Sequence, residues 1–511
     1  MTFLQQTGHG PAALRIQPPA REDRTPTHFI GLIDISESMS DANKLVHVKH
    51  CMSLLLKFLT PADELSIITF GEESQIVLKR GSGDAGGAAA AEAAIRSLWV
   101  NGCTNFSAGL ASVRELLDEV RGSGSPLKQS LLVLTDGHAN RGVSGPVELR
   151  AVASALREAF PALSISYVAY GTDHNAELLK GMAEDAAGSY SIVEKLEGAA
   201  LVMGEALGAA ISCVAQNVVI ELPAGTTAEG PHRVGADGRL RLGDLYAGNE
   251  IVLLLEMPGG AAGVPVRIRG MSLPTLQPFS IEVTDQRLET VRNIEIDLTR
   301  LRYRCSDLFR RLRQEGATDE LRADITAFAT AVGDEAFNGH AVADMLRMEL
   351  VSLEEALRAA GRSGRYDTSI NAQMLSHEMF TAYGRGITQQ ISSAPAPLRP
   401  SRSRAVRFAT GAPLGGPGTP DASDDEEEDP RMCSAGPPRP VPPRPSYLSP
   451  TSSVGAQRVA IAMRSLSQQV EEEPAPAAAA PAPVAPGAPP PTPSGPLAFL
   501  RRMTGGGGAA Q

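Results

Sequence analysis

Five oxygen-bearing side chains, spread over three short segments, have the types and order of a divalent metal site. They are Asp34, Ser36, Ser38, Thr104 and Asp136. The two acidic segments directly follow apolar runs, which are typical of buried strands bounded by turns. Parallel α/β sheets bind ligands at the carboxyl ends of their strands. Because carboxylate and hydroxyl oxygens suit hard cations, the pattern predicts a site for Mg²⁺, with Mn²⁺ as the alternative metal.

Each segment also has an ordinary structural explanation. Asp and Ser residues after a strand commonly form turns or cap the next helix, as Ser38, Ser40 or Asp41 could do here. A threonine in a glycine-containing loop carries little information by itself, and the Thr-Asp-Gly sequence at 135–137 is common in turns. The metal prediction therefore depends on all three segments occurring together in this chain order.

Strand and helix patterns alternate over residues 27–205, which must position these side chains. The predicted strands are His28–Asp34, Leu65–Phe70, Gln75–Lys79, Ser130–Thr135, Ser164–Tyr170 and Ser189–Val193. The predicted helices are Leu45–Leu59, Ala89–Leu98, Phe106–Val120, Val147–Ala159 and Ala176–Ala186. This alternation indicates βαβ units. The fold class is therefore α/β, with a doubly wound, mostly parallel sheet covered by helices on both faces.

Two further regions follow this domain. Residues 214–285 contain short strand patterns separated by Gly and Pro, which predicts a small antiparallel β-sandwich. The N-terminal extension, residues 1–26, could add one strand to that sandwich at Ala12–Gln17. Residues 286–386 carry the apolar stripes of a helical hairpin or bundle.

Residues 387–511 have the composition of a disordered tail. They hold 24 of the 38 prolines, together with many Ala, Gly and Ser residues. Such a segment cannot bury enough apolar surface to offset the entropy of ordering it. Residues 454–470 could form a transient amphipathic helix. Arg439, Pro442 and Pro445 fit the RxxPxxP pattern of a polyproline ligand for an SH3-type partner, although so proline-rich a tract readily produces that pattern by chance.

Charge and cysteine usage exclude several classes of function. The formal net charge of −11 argues against nucleic acid as a partner. The five cysteines are far apart and form no CxxC pair, so neither a zinc module nor a disulfide framework is predicted. The first residues lack the pattern of a secretory signal, and no stretch reaches the ~20 apolar residues of a membrane span. We expect a cytoplasmic or otherwise intracellular protein that does not contact membranes; the nucleus stays open, as does the virion if the source is viral.

The metal-site segments and the strand order resemble a von Willebrand factor type A (vWA) domain with a metal-ion-dependent adhesion site. Residues 34–38 match the DxSxS motif of that family, Thr104 its isolated threonine, and residues 135–137 its closing aspartate segment. Glu37 departs from the usual glycine of the motif. The resemblance covers about Thr27–Met203 and implies a Rossmann-like doubly wound fold.

The resemblance also implies how the five residues would share the metal. Ser36 and Ser38 would bind Mg²⁺ directly, and Thr104 would bind directly or through water. Asp34 and Asp136 would act mainly through ordered water and hydrogen bonds to the serines. Because the direct ligands are mostly neutral, the ion would keep positive charge, and an Asp or Glu of a partner protein could complete its shell.

Four residues around the predicted metal would form the rim of the partner-binding face. They are Glu37, Asn105, His138 and Arg141. Arg141 could steer an acidic partner toward the ion. Glu37 could itself supply the sixth ligand in a self-inhibited state.

The order of vWA domain, β region and helical segment resembles the layout of intracellular eukaryotic proteins with a Vwaint-like region. Some plant relatives of that kind add a RING module and look like ubiquitin ligases, but this chain has no RING-like Cys/His array. The sequence therefore favours a non-enzymatic, Mg²⁺-dependent protein-interaction module. The alternatives are a substrate-binding subunit of a ubiquitin-ligase-type assembly and a metal-dependent hydrolase, in which His138 and Asn140 would be the base and its orienting group.

Overall fold

The computed structural model describes most of the chain between residues 2 and 383 and a few short stretches beyond. The described residues are 2–7, 12–19, 25–124, 127–171, 173–193, 196–257, 266–273, 275–283, 286–289, 294–363, 368–383, 387–388, 447–448, 459, 461–465 and 467. The predicted SH3-ligand motif at 439–445 lies outside them, as does nearly all of the predicted disordered tail.

The strands are numbered here in chain order. They are β1 (Thr2–Thr7), β2 (Ala12–Ile16), β3 (Thr27–Asp34), β4 (Glu64–Phe70), β5 (Ser74–Ser82), β6 (Lys128–Thr135), β7 (Leu163–Tyr170), β8 (Ser189–Val193), β9 (Cys213–Glu221), β10 (Thr227–Ala228), β11 (Arg239–Tyr246), β12 (Ile251–Glu256), β13 (Arg267–Ser272), β14 (Gln277–Glu282), β15 (Gln286–Glu289), β16 (Ile387–Thr388) and β17 (Tyr447–Leu448).

The helices are numbered in the same way. They are α1 (Lys44–Leu56), α2 (Ala85–Ser97), α3 (Phe106–Gly122), α4 (Pro146–Ala159), α5 (Ala176–Asp185), α6 (Leu196–Ser212), α7 (Ile294–Glu315), α8 (Asp319–Val332), α9 (Ala341–Ser363) and α10 (Thr368–Tyr383), with short 3-10 helices at Glu37–Asn43 and Glu335–Phe337. The described part of the chain includes no helix long and apolar enough to cross a membrane.

A six-stranded sheet in the order β5-β4-β3-β6-β7-β8 forms the centre of the first domain. Every pair is parallel except β4 with β5, so the predicted doubly wound, mostly parallel sheet is confirmed. Every residue of β3 is buried because helices cover both faces of the sheet. One face packs on α3, α4 and α5, and the other on α1, α2 and α6.

Helix α6 was not predicted from the sequence. It is rich in alanine and lacks the polar face of a surface helix, because its buried residues include Ala199, Val202, Met203 and Leu207. A helix that is apolar on most sides shows no amphipathic period. Helical periodicity in the sequence therefore does not predict α6.

The β region consists of two sheets that enclose one apolar core. Their orders are β10-β12-β2-β1-β15 and β11-β9-β13-β14. The predicted N-terminal strand is β2, which pairs antiparallel with β12. All strand pairs within residues 214–285 are antiparallel, as predicted, whereas β1 and β15, which lie outside that range, pair in parallel. These two strands come from distant parts of the chain, and no hairpin turn forces them to run in opposite directions.

Helix α10 belongs to two cores at once. Its Leu375 and Met379 pack in the core of the first domain, whereas its Met374 and Phe380 pack among the helices α7, α8 and α9. The helix contacts α5 and β8 on one side and α7 on the other. The last helix of the helical region thus covers part of the first domain.

The described residues of a short tail segment, 459, 461–465 and 467, lie on the α1 side of the first domain. Met463 is fully buried in the core that α1 and α6 share, and Ile461 is exposed. The Ser467 hydroxyl lies 2.9 Å from Nε2 of His50 on α1. The described part of the predicted amphipathic stretch is therefore helical around 461–465 and contacts the domain.

Candidate functional site

The three predicted metal-site segments meet at the carboxyl edge of the central sheet. Asp34 is the last residue of β3, and Asp136 follows the last residue of the neighbouring strand β6. Thr104 comes from the loop between α2 and α3. Backbone hydrogen bonds tie this loop to the first segment: the Glu37 N–H donates to the Gly102 carbonyl over 3.0 Å.

The Thr104 loop is held equally closely to the third segment. The Asn140 side-chain oxygen accepts a 2.8 Å hydrogen bond from the Thr104 N–H, and the Asn140 N–H donates to the Thr104 carbonyl over 3.1 Å. Gly71 lets the loop approach the sheet, since a Cβ there would lie 2.5 Å from the Asn101 carbonyl oxygen. The buried Thr104 is therefore fixed between the two acidic segments.

The carboxylate of Asp34 is oriented by the two segments on either side of it. One oxygen accepts a 2.9 Å hydrogen bond from the Ser36 N–H, and the other accepts a 2.6 Å hydrogen bond from the Thr135 hydroxyl. The Ser36 and Ser38 hydroxyls lie 3.2 Å apart. The Asp34 carboxylate is therefore held in one orientation beside Ser36, whose hydroxyl lies next to that of Ser38.

Two buried carboxylates without enough positive charge around them make this edge electrostatically unfavourable by itself. Asp34 and Asp136 are both fully buried. The pKa of Asp34 is raised to about 6, first by burial and then by repulsion from Asp136, while hydrogen bonds from Ser36 and Thr135 oppose the rise. The Oδ1 atom of Asp136 has no hydrogen-bond partner among the described residues. A cation at this edge would reduce the repulsion between the two carboxylates and would give Oδ1 of Asp136 a partner.

The donor set fits a hard cation of the Mg²⁺ kind. No three His, Cys, Asp or Glu side chains of the described residues are grouped as a metal cluster, so a metal at this edge would need the serine and threonine hydroxyls as further ligands. Mg²⁺ binds oxygen ligands and usually retains water, which agrees with a site made of two carboxylates and three hydroxyls. Metal binding by Asp34, Ser36, Ser38, Thr104 and Asp136 stays a prediction.

Lys44 and Asp173 were not predicted as site residues, but both lie at the same edge of the sheet. The ammonium nitrogen of Lys44 lies 3.2 Å from Oδ2 of Asp136 and 3.1 Å from Oδ1 of Asp173. The loop that carries Asp173 is tied to the site, because the Asn175 N–H donates to the Asp136 carbonyl over 3.2 Å. The parallel pairing of β7 with β6 could have indicated this loop, but nothing in the sequence marked the lysine.

The predicted rim residues have different surroundings. Glu37 is exposed, and the exposed Arg141 pairs with Glu72 at 2.8 Å. Asn105 caps α3, since its side chain accepts a 3.1 Å hydrogen bond from the Ala108 N–H. His138 is exposed, and its Nε2 contacts the Asp173 carbonyl. Glu37 and Arg141 are therefore exposed side chains of opposite charge on the rim, while Asn105 caps a helix.

Residues 30–202 match the family model of the von Willebrand factor type A domain. The six-stranded sheet and its surrounding helices have the fold of that family. This segment of the chain is therefore a vWA domain.

Two curated proteins are similar in sequence to about half of this chain. The uncharacterized protein YfbK of Escherichia coli is 28% identical over 250 residues, which are 46% of this chain and 42% of YfbK. The E3 ubiquitin-protein ligase WAV3 of Arabidopsis thaliana is 25% identical over 268 residues, 49% of this chain and 33% of WAV3. The matches span less than half the length of either relative.

The fold also has a solved counterpart. A von Willebrand factor type A structure from Catenulispora acidiphila superposes with a TM-score of 0.50 at 15% sequence identity. The match covers 74% of this chain and 94% of that one, so it extends beyond the vWA domain. At this identity the likeness concerns the fold alone.

Proposed function

We propose that the vWA domain binds Mg²⁺ through Asp34, Ser36, Ser38, Thr104 and Asp136, and that the loaded site binds an acidic side chain of a partner protein. vWA domains commonly mediate protein interactions. The observation that carries the proposal is the orphaned Oδ1 of the fully buried Asp136, beside a second buried carboxylate. Such a pair is stabilised best by a cation.

The loaded site would keep a position for one more anionic ligand. Its direct ligands are hydroxyls, which are neutral, so much of the charge of a divalent ion stays uncompensated. Glu37 and Arg141 on the rim are exposed and would set which acidic partner approaches. The β and helical regions would act as a scaffold around the domain.

Two variants of the same loop test the metal step. Ser38→Ala removes a proposed ligand, whereas Ser40→Ala removes an exposed hydroxyl that donates to the Glu37 carbonyl. Titration calorimetry should show Mg²⁺ uptake by the wild type and by Ser40→Ala, with a large loss for Ser38→Ala. Equal affinity in all three proteins would contradict the ligand assignment.

The partner step is tested by affinity capture in Mg²⁺ and in EDTA. Partner recovery should require the metal and should be lost with Asp34→Ala. If recovery is the same under both conditions and Asp34→Ala is harmless, metal-dependent binding is wrong. A site that only locks the loops together would instead show a lower melting temperature in EDTA with unchanged partners.

A substrate-binding subunit of a ubiquitin-ligase-type assembly is the second candidate. The observation in its favour is the match to WAV3 over 268 residues, which is longer than the vWA domain at residues 30–202. Ubiquitin transfer in a reconstituted assay that depends on adding this chain would support it. Metal-dependent hydrolysis has less support, because the Nε2 of His138 already contacts a backbone carbonyl.

A further inference from the structure

Lys44 is a buried cation placed between two loops of the vWA site. Its side chain is 4% exposed, and its ammonium nitrogen contacts the carboxylates of Asp136 and Asp173. Lysine is rarely buried unless it is paired. The two carboxylates are therefore what keeps this ammonium ion inside the protein.

Helix formation does not explain a lysine at this position. Lys44 is the first residue of α1, and a positive charge at a helix N-terminus is unfavourable because the helix dipole is positive there. The two residues before it, Ala42 and Asn43, have left-handed φ values of 48° and 59°. Asparagine tolerates such a value, but alanine adopts it at an energetic cost. The start of α1 is thus placed against local preference, with its lysine at the carboxylates.

The loop after β7 leaves room for the lysine. Gly171 has a φ of +81°, and a Cβ at this position would lie 2.6 Å from Oδ1 of Asp173 and 2.7 Å from Cε of Lys44. A side chain at residue 171 would therefore collide with both members of this ion pair.

We propose that Lys44 is a resident counter-ion that lowers the affinity of the site for cations and brings the loaded site to neutrality. The inference rests on the proposed metal binding. Asp34, Asp136 and Asp173 carry three negative charges, of which Lys44 balances one. A divalent ion balances the other two, so the loaded site is neutral as a whole, while the ion itself, bound directly by neutral hydroxyls, still attracts an acidic partner side chain. Without Lys44 the loaded site would be anionic and would repel that side chain.

The direction of the change in cation affinity tests this role. In Lys44→Met the repulsion between the ammonium and the bound ion disappears, so the dissociation constant for Mg²⁺ should fall about tenfold, which corresponds to about 1.4 kcal/mol. For Tb³⁺ the fall should be larger, about thirtyfold, because the repulsion scales with the charge of the ion. Lys49→Met removes the same charge from α1 at a side chain that contacts the Arg96 carbonyl instead, and it should leave both constants unchanged.

Calorimetry with Mg²⁺ and terbium luminescence measure these constants on the full chain. Weaker or unchanged Mg²⁺ binding by Lys44→Met would overturn the counter-ion role, since a purely structural lysine predicts that result. Failure of both the wild type and Lys44→Met to bind any of these ions would instead remove the proposed function, and this inference with it.

Circular dichroism in EDTA and in excess Mg²⁺ covers the case in which Lys44→Met is unstable. Folding that Mg²⁺ restores would support the proposal, because the ion then replaces the lost charge. A variant that stays unfolded in both conditions would overturn it, because Lys44 would then be an anchor that no cation replaces.

Discussion

The Thr135 hydroxyl donates a 2.6 Å hydrogen bond to the Asp34 carboxylate, and both residues are fully buried. The same hydroxyl oxygen accepts a 2.8 Å hydrogen bond from the Gly137 N–H. One threonine therefore fixes the end of β3 and the turn after β6 at the same time. It sets the orientation of a carboxylate without being a proposed ligand.

Thr135→Val should weaken Mg²⁺ binding about tenfold or more, because supporting residues around metal ligands have effects of this size. It should also lower the free energy of unfolding by about 1–3 kcal/mol, since a buried carboxylate oxygen loses its donor. Calorimetry and urea unfolding measure the two effects. Thr135→Ser keeps the hydroxyl and should lie close to the wild type; a loss as large as that of valine would contradict the role of the hydrogen bond.

Asn140→Ala should loosen the Thr104 loop while the domain stays folded. The Asn140 side chain is exposed, but it accepts the hydrogen bond from the Thr104 N–H. We expect a dissociation constant for Mg²⁺ about tenfold higher and a nearly unchanged melting temperature in EDTA. Asn140→Asp keeps the accepting oxygen and should restore most of the affinity. An alanine variant with wild-type affinity would show that the loop needs no such anchor.

His174 should make the protein less stable in mild acid. The ring is buried; Nδ1 donates to the Gly171 carbonyl over 2.8 Å, so Nε2 must accept from the Tyr190 hydroxyl. Burial lowers the pKa of His174 from 6.5 to about 4. Between these values the unfolded chain binds a proton that the folded chain does not. The free energy of unfolding therefore decreases as the pH is lowered from 6.5 to about 4, by up to about 3 kcal/mol.

Urea unfolding at several pH values between about 7 and 4 measures the contribution of His174 to the free energy of unfolding, because the unfolded chain takes up its proton in this interval. The difference in the free energy of unfolding between the wild type and His174→Gln separates this contribution from that of other titrating groups. That difference should shrink as the pH falls. A difference that stays constant over the interval would contradict the protonation argument.

Met463→Glu should detach the tail segment from α1. The change places a charge in a buried apolar site, which is unfavourable without a partner. Ile461→Glu is the matched control, because Ile461 belongs to the same segment and is 57% exposed. Hydrogen exchange should become faster along α1, around His50, in the first variant alone. Identical exchange in both variants would show that the contact of Met463 contributes little.

The strands of the vWA domain were predictable because buried parallel strands are continuous apolar runs. The predicted and observed ends of β8 agree, and those of β3 differ by one residue. Lys44 was not predictable, since a lysine in the first turn of a helix is normally solvated. Its use depends on Asp136 and Asp173, which are 92 and 129 residues away in the chain.

Other features also depend on contacts that periodicity does not record. The parallel pairing of β1 with β15 joins the two ends of the β region. Helix α6 has no polar face, so its apolar pattern has no period to detect. The five residues proposed as metal ligands could be predicted from the sequence because their types and order form a motif, and their binding of a metal stays a prediction.

Because Leu375 and Met379 of α10 pack in the core of the vWA domain, we expect a stably folding piece of this protein to extend beyond the family match at residues 30–202. A fragment that stops after Ser212 would leave α5 and β8 without the cover of Leu375 and Met379. Such a bared apolar strip favours self-association. Binding studies on the excised domain would then measure self-association as well as partner binding. Any insertion between the vWA domain and α10 must leave this helix able to pack on the domain.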